Sequence, residues 1–326
     1  MKRLAVGLLG AWMLAAAFAP WLSPNDPRRP FDSRAYAPPS RLHVLTDAGS
    51  LTMPFFYAHR LENALERRYT VDREHVVPLH WLGPRLVRTS DDAQPLMLLG
   101  GDALGRDVFS RVLHGARISL ALALIAACGA TFLGALAGGA AGHANGALGG
   151  VIMRIAEFVM VLPALYVVLA LRAVLPLVLP PLEIFLLTAA IFALVGWPLA
   201  ARGVRAIVAA ERHRDYAEAA FALGATRWRV LWRHVLPATA GFVRTQFTLF
   251  LPACILTEAA LSYAGLGFPD DLPSWGTLLQ EAGNVGVLAS APWLLAPAIA
   301  IFSVVFAVNL AVESPGARFD RIPPSA

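Results

Sequence analysis

The chain has 326 residues, of which 57% are hydrophobic and only 15% are charged, and its mean hydropathy is +0.59. These values exclude an ordinary soluble domain and indicate a protein with several membrane-spanning segments. The formal net charge of +5 would favour nucleic-acid binding in a soluble protein. Here the arginines flank apolar runs, as they do at the cytoplasmic ends of membrane helices, so nucleic acid is not expected as a partner.

The first apolar stretch follows Lys2 and Arg3 and ends at Leu22. It has two interpretations, a retained first transmembrane helix over residues 1–22 or a signal peptide cleaved after Ala19. Pro20, directly after the small-residue site, favours the retained helix. Both interpretations place the next segment outside the cytoplasm.

Residues 23–98 are polar, mixed in charge and rich in proline, which predicts an extracytoplasmic insert without a span. Two short apolar runs flank Asp47–Gly49 and give a weak hairpin signal. The insert either contacts a substrate-delivery protein or covers the membrane domain.

A charged segment follows at residues 99–119. We expect its side chains to form ion pairs at the outer surface, in gating or docking and not in catalysis. No phosphate-loop lysine follows its glycines, so a nucleotide site is not expected. The candidate residues are Asp102, Arg106, Asp107 and Arg111.

Residues 99–313 together are predicted to form the membrane core, with spans near 118–142, 151–175, 184–201, 236–258 and 292–312. With the first helix this makes about six spans, in an all-α polytopic protein with both termini, including the tail 314–326, in the cytoplasm. Pro163 should kink the second of these core spans. In the stretch that begins near residue 118, glycine recurs every four residues, at Gly134, Gly138, Gly142 and Gly146. Either helix packing or a glycine-lined passage explains this repeat.

A polar, arginine-rich stretch at residues 211–237 interrupts the apolar spans. Its spacing predicts two short helices, with a left-handed turn at Gly224 and a cap at Thr226. The first helix should carry one apolar face of Tyr216, Ala219, Ala220 and Leu223, and the second one of Trp228, Leu231, Trp232 and Val235. The stretch either anchors the protein at the membrane surface or offers a ridge to a partner.

Two charges stand in the span after this stretch, Arg244 and Glu258. Nearly four helical turns separate them, so they cannot pair within one helix. Each either faces an aqueous translocation path or pairs with a neighbouring helix.

Four motifs in order resemble the permease subunits of ABC importers. Glu218-Ala219-Ala220, Gly224 and His234–Pro237 are similar to the EAA loop of that family. His234, where the general pattern has isoleucine, is similar to the dipeptide, oligopeptide and nickel branch. Three further motifs resemble this branch, namely LGGDALGRDVFSR at 99–111, EAALSYAGLG at 258–267 and PSWG at 273–276.

The resemblance implies the second permease of a pair, a transport subunit and not an enzyme, forming half of a pathway for peptides or a similar small solute. Its expected partners are a homologous permease, two cytoplasmic ATPases, an extracytoplasmic solute-binding protein and membrane lipid. ATP and Mg would bind the ATPases, and no cofactor is expected on this chain. The protein would lie in the bacterial inner membrane. Glu218 would contact the ATPase, Ala219 and Ala220 would allow close approach, and Gly224 would turn the loop.

Two alternatives of other classes are a secondary transporter and an intramembrane enzyme. The first would need mid-membrane charges and an internal repeat, and neither is evident in the sequence. The second is not supported either, because we find no GxSxG or HExxH motif.

Overall fold

The computed structural model describes residues 2–45, 51–63, 67–89, 91, 93–144, 147–174 and 179–312. The α-helices within these residues are α1 (Lys2–Ala17), α2 (Ala19–Leu22), α3 (Val108–His143), α4 (Ala147–Val161), α5 (Ala164–Val174), α6 (Pro181–Glu211), α7 (Asp215–Ala222), α8 (Arg227–Val230), α9 (Ala240–Tyr263), α10 (Trp275–Ala282), α11 (Val285–Ser290) and α12 (Ala296–Val312). A π-helical turn (Leu231–Val235) and a 3-10 turn (Leu236–Thr239) join α8 to α9, and a second 3-10 turn (Pro292–Leu295) precedes α12.

The chain is mostly helical, as predicted for a polytopic membrane protein. Within the described residues, four helical stretches are long and apolar enough to cross a membrane, namely Val108–His143, Pro181–Glu211, Arg227–Tyr263 and Pro292–Val312. Helices α4 and α5 add a fifth spanning stretch if the two form one span. The kink predicted at Pro163 is present as a bend of 91° between α4 and α5. The first apolar helix, Arg3–Ala17, is shorter than a span. The expected count of about six is therefore not reached by these criteria.

The insert contains a four-stranded antiparallel sheet, which an all-α description leaves out. Its strands are β1 (His43–Leu45), β2 (Leu51–Asn63), β3 (Arg68–Trp81) and β4 (Val87–Thr89), in the order β1-β2-β3-β4. The predicted hairpin corresponds to the β1–β2 pair, whose register joins His43 to Phe55, while the turn at Asp47–Gly49 lies outside the described residues. A small core of Phe56, Ala58, Val77, Leu79 and Leu96 holds the sheet together.

The contacts divide the chain into two compact units. The first is built around Leu122–Thr257, and its α3 and α6 pack through glycines. A Cβ at Gly134 would lie 2.5 Å from Ala200 Cβ, and one at Gly138 only 2.4 Å from the Ala201 carbonyl oxygen. This contact supports helix packing over a glycine-lined passage for these two positions. Gly146, the last member of the repeat, lies outside the described residues.

The second unit is built around Val6–Ala121 and Glu258–Val305. Trp275, at the start of α10, is its largest fully buried side chain. Its indole Nε1 donates to the Val112 carbonyl oxygen at 3.1 Å, and its ring meets Trp12 edge-on with 5.2 Å between centroids. The start of α10 is thereby fixed against α3 and α1.

Candidate functional site

The coupling segment, residues 211–237, contains the helix–turn–helix that the sequence predicts. Helix α7 ends at Ala222, and Gly224 then adopts φ +84°, in the left-handed region that glycine enters without a steric penalty. The Ala225 amide donates to the Ala220 carbonyl at 3.0 Å and closes the turn. Thr226 caps α8 by accepting a hydrogen bond from the Arg229 amide at 3.3 Å.

The buried face of α7 differs from the predicted apolar face. Ala217 and Ala220 are the α7 residues in a core cluster that also contains Val204, Val208, Val230, Leu231 and Val235. Only Ala220 of the predicted face is buried. Tyr216 is 42% exposed, Leu223 is 89% exposed, and Ala219 is exposed as well. The difference arises because the small side chains of Ala217 and Ala220 let α7 pack closely against the other residues of this cluster, along one narrow face of the helix.

The predicted second apolar face is also divided. Helix α8 ends at Val230 and continues as the π-helical turn Leu231–Val235, which places more residues in each turn than an α-helix does. Leu231 and Val235 are buried, while Trp228 and Trp232 are more than half exposed. The prediction of one continuous face was wrong here because it assumed α-helical spacing throughout.

Tyr216 is tied to the end of α6. Its hydroxyl donates to Glu211 Oε2 at 2.6 Å. Partial burial, together with this hydrogen bond, raises the pKa of Tyr216 to about 12. The neutral phenol donates this hydrogen bond and so links α7 to the end of α6.

Several residues of α7 and its C-cap Leu223 are exposed, and we call four of them, Tyr216, Glu218, Ala219 and Leu223, the coupling ridge. It combines two large apolar side chains, one carboxylate and one alanine. Exposed large apolar groups beside a small residue fit close docking of another surface. The coupling ridge has the features of a binding surface, and it holds no nucleophile and base pair for catalysis.

Three of the four predicted outer candidates form a buried ion cluster and not a surface one. Arg106 Nε lies 2.7 Å from Asp102 Oδ2, and Arg111 Nη1 lies 3.4 Å from the same oxygen. Glu281 Oε1 lies 3.8 Å from Arg106 Nη2. The side chains of Asp102, Arg106 and Arg111 are buried, so they cannot themselves dock a partner in this conformation.

Asp107 is buried too, but it belongs to a separate set of hydrogen bonds. Its Oδ2 accepts from Ser110 Oγ at 2.5 Å and from Asn25 Nδ2 at 3.0 Å. Burial raises the pKa of Asp107 to about 6 against the opposing effect of these donors. Burial, and next the charge of Asp102, also raise the pKa of Glu281.

Asp102→Asn is expected to destabilise the protein, because one carboxylate neutralises two buried guanidinium groups. Breaking a buried ion pair by removing one partner costs about 3–5 kcal/mol. Glu281 would still pair with Arg106, but Arg111 would keep no ion pair among the described residues, and its Nε and Nη1 already make no hydrogen bond there. Thermal unfolding in detergent should show a clearly lower Tm than for Asp271→Asn, an exposed control. Equal Tm values for the two variants would contradict the role of the cluster.

The two charges proposed for a translocation path have opposite surroundings. Arg244 is exposed on α9. Glu258 is 1% exposed, and hydroxyl groups surround its carboxylate, with no lysine or arginine in salt-bridge distance among the described residues. In this conformation water does not reach Glu258, and the alternative of a salt bridge to a neighbouring helix is not observed.

Sequence reasoning missed the residues that complete these clusters. They are Asn25 beside Asp107, Glu281 beside Arg106, and Ser119, Ser262 and Ser274 around Glu258. The motifs at 258–267 and 273–276 contain the last two serines, but the motif pattern does not indicate that they share one carboxylate.

Comparison with known proteins matches residues 130–321 to the family described as "Binding-protein-dependent transport system inner membrane component". The glutathione transport system permease protein GsiD of Pectobacterium atrosepticum is 34% identical over 277 residues, covering 83% of this chain and 84% of that protein. The oligopeptide transport system permease protein OppC of Bacillus subtilis is 37% identical over 212 residues, covering 65% and 67%. The di/tripeptide transport system permease protein DppC of Pseudomonas aeruginosa is 31% identical over 299 residues, covering 91% and 80%.

The chain combines helices that are long and apolar enough to cross a membrane with an exposed ridge between two of them. The chain belongs to the family of inner membrane components of binding-protein-dependent transport systems. It is a permease subunit of an ABC importer and not an enzyme, and the comparisons do not favour a secondary transporter or an intramembrane enzyme.

Proposed function

We propose that this permease forms half of an import pathway for peptides or a similar small solute. Its partners would be a homologous second permease, two cytoplasmic ATPases that hold ATP and Mg, and an extracytoplasmic solute-binding protein. The names of three relatives, which refer to glutathione, oligopeptides and di- or tripeptides, support the solute class. No cofactor is proposed for this chain itself.

The exposed coupling ridge is the observation that carries the proposal. Glu218 and Leu223 would contact the ATPase, and the exposed Ala219 would allow its surface to come close. Ala220, in contrast, packs inward against the core cluster, so its proposed role changes from partner contact to support of the ridge. A Cβ at Gly224 would meet no atom within 4 Å, which leaves the turn open to a partner.

The mechanism is mechanical. Closure of the ATPases on ATP would push α7, and the helices continuous with it would move the permease between inward-open and outward-open states. ATP can shift this equilibrium only by its differential affinity for the two states. To change the ratio of their populations from 1:99 to 99:1, the binding free energies for the two states must differ by about 5.5 kcal/mol. The core cluster that joins α6, α7 and the π-helical turn would carry the force.

The proposed topology places the coupling segment and both termini in the cytoplasm. Arginine is frequent at the end of α6 and in the coupling segment, as in cytoplasmic loops. The insert and residues 99–107 would then lie outside. Because the ion cluster of Asp102, Arg106 and Arg111 is buried, we propose gating or structural support for it instead of docking. Arg244 remains the proposed path residue.

The test is co-expression of this chain with its transport partners, affinity purification through this chain and reconstitution into liposomes. We expect an ATPase to co-purify and labelled di- or tripeptides to enter only with ATP and the binding protein. Uptake driven by an ion gradient without ATP would indicate a secondary transporter. Catalytic turnover by the isolated chain would indicate an enzyme, and either result would overturn the proposal.

A further inference from the structure

We propose that Glu258 is a positioning residue for transport: its carboxylate fixes α10 to α9 and α3, so that the segment 264–282 follows α9 when the transporter changes state. The inference rests on the proposed function, because it requires an ATP-driven movement of α9. It assigns a role to a buried charge that the proposed coupling and gating sites do not use.

Four donors surround the Glu258 carboxylate. Ser262 Oγ and Ser274 Oγ donate to its Oε1 at 2.8 and 2.6 Å, and Ser119 Oγ donates to its Oε2 at 3.1 Å. The Gly276 amide is the fourth donor. Because these donors come from α3, α9 and the start of α10, one carboxylate joins three helices.

All four contacts donate to Glu258, which is the pattern that an ionised carboxylate requires. Two of the hydroxyls are also acceptors and thereby orient α10. Ser119 Oγ accepts from the Trp275 amide at 3.1 Å, and Ser274 Oγ accepts from the Thr277 amide at 3.1 Å as the N-cap. The carboxylate therefore fixes the direction of the hydroxyls that cap the first turn of α10.

The contact between α9 and α10 is too close for a side chain or a water molecule to enter. A Cβ at Gly276 would lie 2.7 Å from Ser262 Cβ, 2.8 Å from Ala259 Cα and 2.8 Å from Glu258 Oε1. Such tight packing makes the joint rigid. The glycine of the PSWG motif is needed because α10 lies directly against α9 at this position.

A purely structural joint does not need a charge. A buried carboxylate without a cation is costly, and replacing buried ionic groups by apolar ones is often neutral or stabilising. A directional network, in contrast, holds one geometry and loses several bonds together when one member is removed. The helical stretch Arg227–Tyr263 begins within the coupling segment and contains Glu258, so a rigid joint at this residue would pass movement of α9 to α10.

The experiment compares Glu258→Gln with the unmodified subunit in the reconstituted transporter. Glutamine keeps the size of the side chain but turns one acceptor into a donor, so at least one serine hydroxyl loses its acceptor. The control is Thr188→Ala, which removes a buried hydroxyl whose one hydrogen bond among the described residues goes to the Ile184 carbonyl of its own helix. A cysteine at the exposed Gln280 on α10, in a Cys128→Ser background, reports the movement of α10 through its rate of maleimide labelling.

We expect the labelling rate of Gln280→Cys to change on ATP binding in the otherwise unmodified transporter, and not in Glu258→Gln. Peptide uptake should fall at least about 10-fold in Glu258→Gln, equivalent to about 1.4 kcal/mol, while ATPase subunits still co-purify and hydrolyse ATP. Glu258→Asp should restore part of the uptake, because it keeps the charge. Thr188→Ala should behave as the unmodified subunit does.

Normal uptake by Glu258→Gln, or an ATP-dependent labelling change that it retains, would overturn the inference while leaving the proposed function intact. If Glu258→Gln does not assemble, Ser274→Ala and Ser119→Ala decide, since each removes one donor and keeps the carboxylate. Loss of the labelling change in these assembled variants supports the inference, and its retention overturns it. Absence of ATP-dependent uptake by the unmodified transporter would refute the proposed function instead.

Discussion

Leu223→Asp is expected to abolish ATP-driven uptake while the permease stays folded. Leu223 is 89% exposed on the coupling ridge, so the substitution removes no internal packing. In the proposed complex it would bury an unpaired carboxylate against the ATPase, which costs several kcal/mol. Because every 1.4 kcal/mol is tenfold in affinity, we expect at least about a 100-fold weaker ATPase contact. Uptake, ATPase co-purification and Tm would be measured together.

The control is Leu82→Asp, the same change at a similarly exposed leucine of the insert. It should leave uptake, co-purification and Tm unchanged. Equal behaviour of the two variants would show that the coupling ridge is not a partner surface. A fall of Tm in Leu223→Asp alone would instead show that Leu223 packs within the permease.

Gly224→Asp tests the turn in the same assay. At φ +84° a non-glycine residue is strained by about 1–2 kcal/mol, but its Cβ meets no atom within 4 Å. We therefore expect an inserted subunit in which transport is uncoupled from hydrolysis. Gly224→Ala carries the strain without the charge and separates the two causes. Normal uptake by Gly224→Asp would refute the role of the turn.

Gly138→Ala is expected to reduce the amount of folded permease, which is the second of the two largest effects that we predict. The added methyl group would lie 2.4 Å from the Ala201 carbonyl oxygen and 3.0 Å from Ala201 Cα, both backbone atoms. Overpacking of this kind costs typically about 1–3 kcal/mol, so the amount of protein in the membrane and its Tm should both fall.

Gly150→Ala is the matched control for Gly138→Ala. Gly150 lies in α4 and an added Cβ would meet nothing within 4 Å. Replacing this helical glycine by alanine should be neutral or slightly stabilising. If Gly138→Ala proved as stable as Gly150→Ala, the close packing of α3 on α6 would be wrong.

Local features of the fold could be predicted from the sequence because they depend on neighbouring residues. The turn at Gly224, the cap at Thr226, the bend at Pro163 and the start of the last helical stretch at Pro292 all follow from local chemistry. The sheet of the insert was largely missed because β3 carries charged and polar residues on an exposed face. The short first helix and the bent α4–α5 pair are the reason why the described residues do not confirm a count of six spans.

Long-range features could not be predicted in the same way. The sequence contains the charges of the ion cluster, but Glu281 is distant from Arg106 in sequence and comes within 3.8 Å of it in the folded chain. Ser119 and Glu258 lie 139 positions apart and meet through one hydrogen bond. Hydropathy placed Glu258 in a span and suggested a water path, whereas packing encloses it among hydroxyl groups. The buried face of α7 likewise depends on what packs against Ala217.

Photocrosslinking from the coupling ridge tests the central claim most directly, that this subunit works as a lever held by an ATPase. A photoreactive amino acid at Leu223, in membranes that contain the complete transporter, should crosslink to an ATPase subunit. The same probe at Leu82 should not. Crosslinking of the Leu223 probe to lipid or to this same chain, with no ATPase product, would contradict the account.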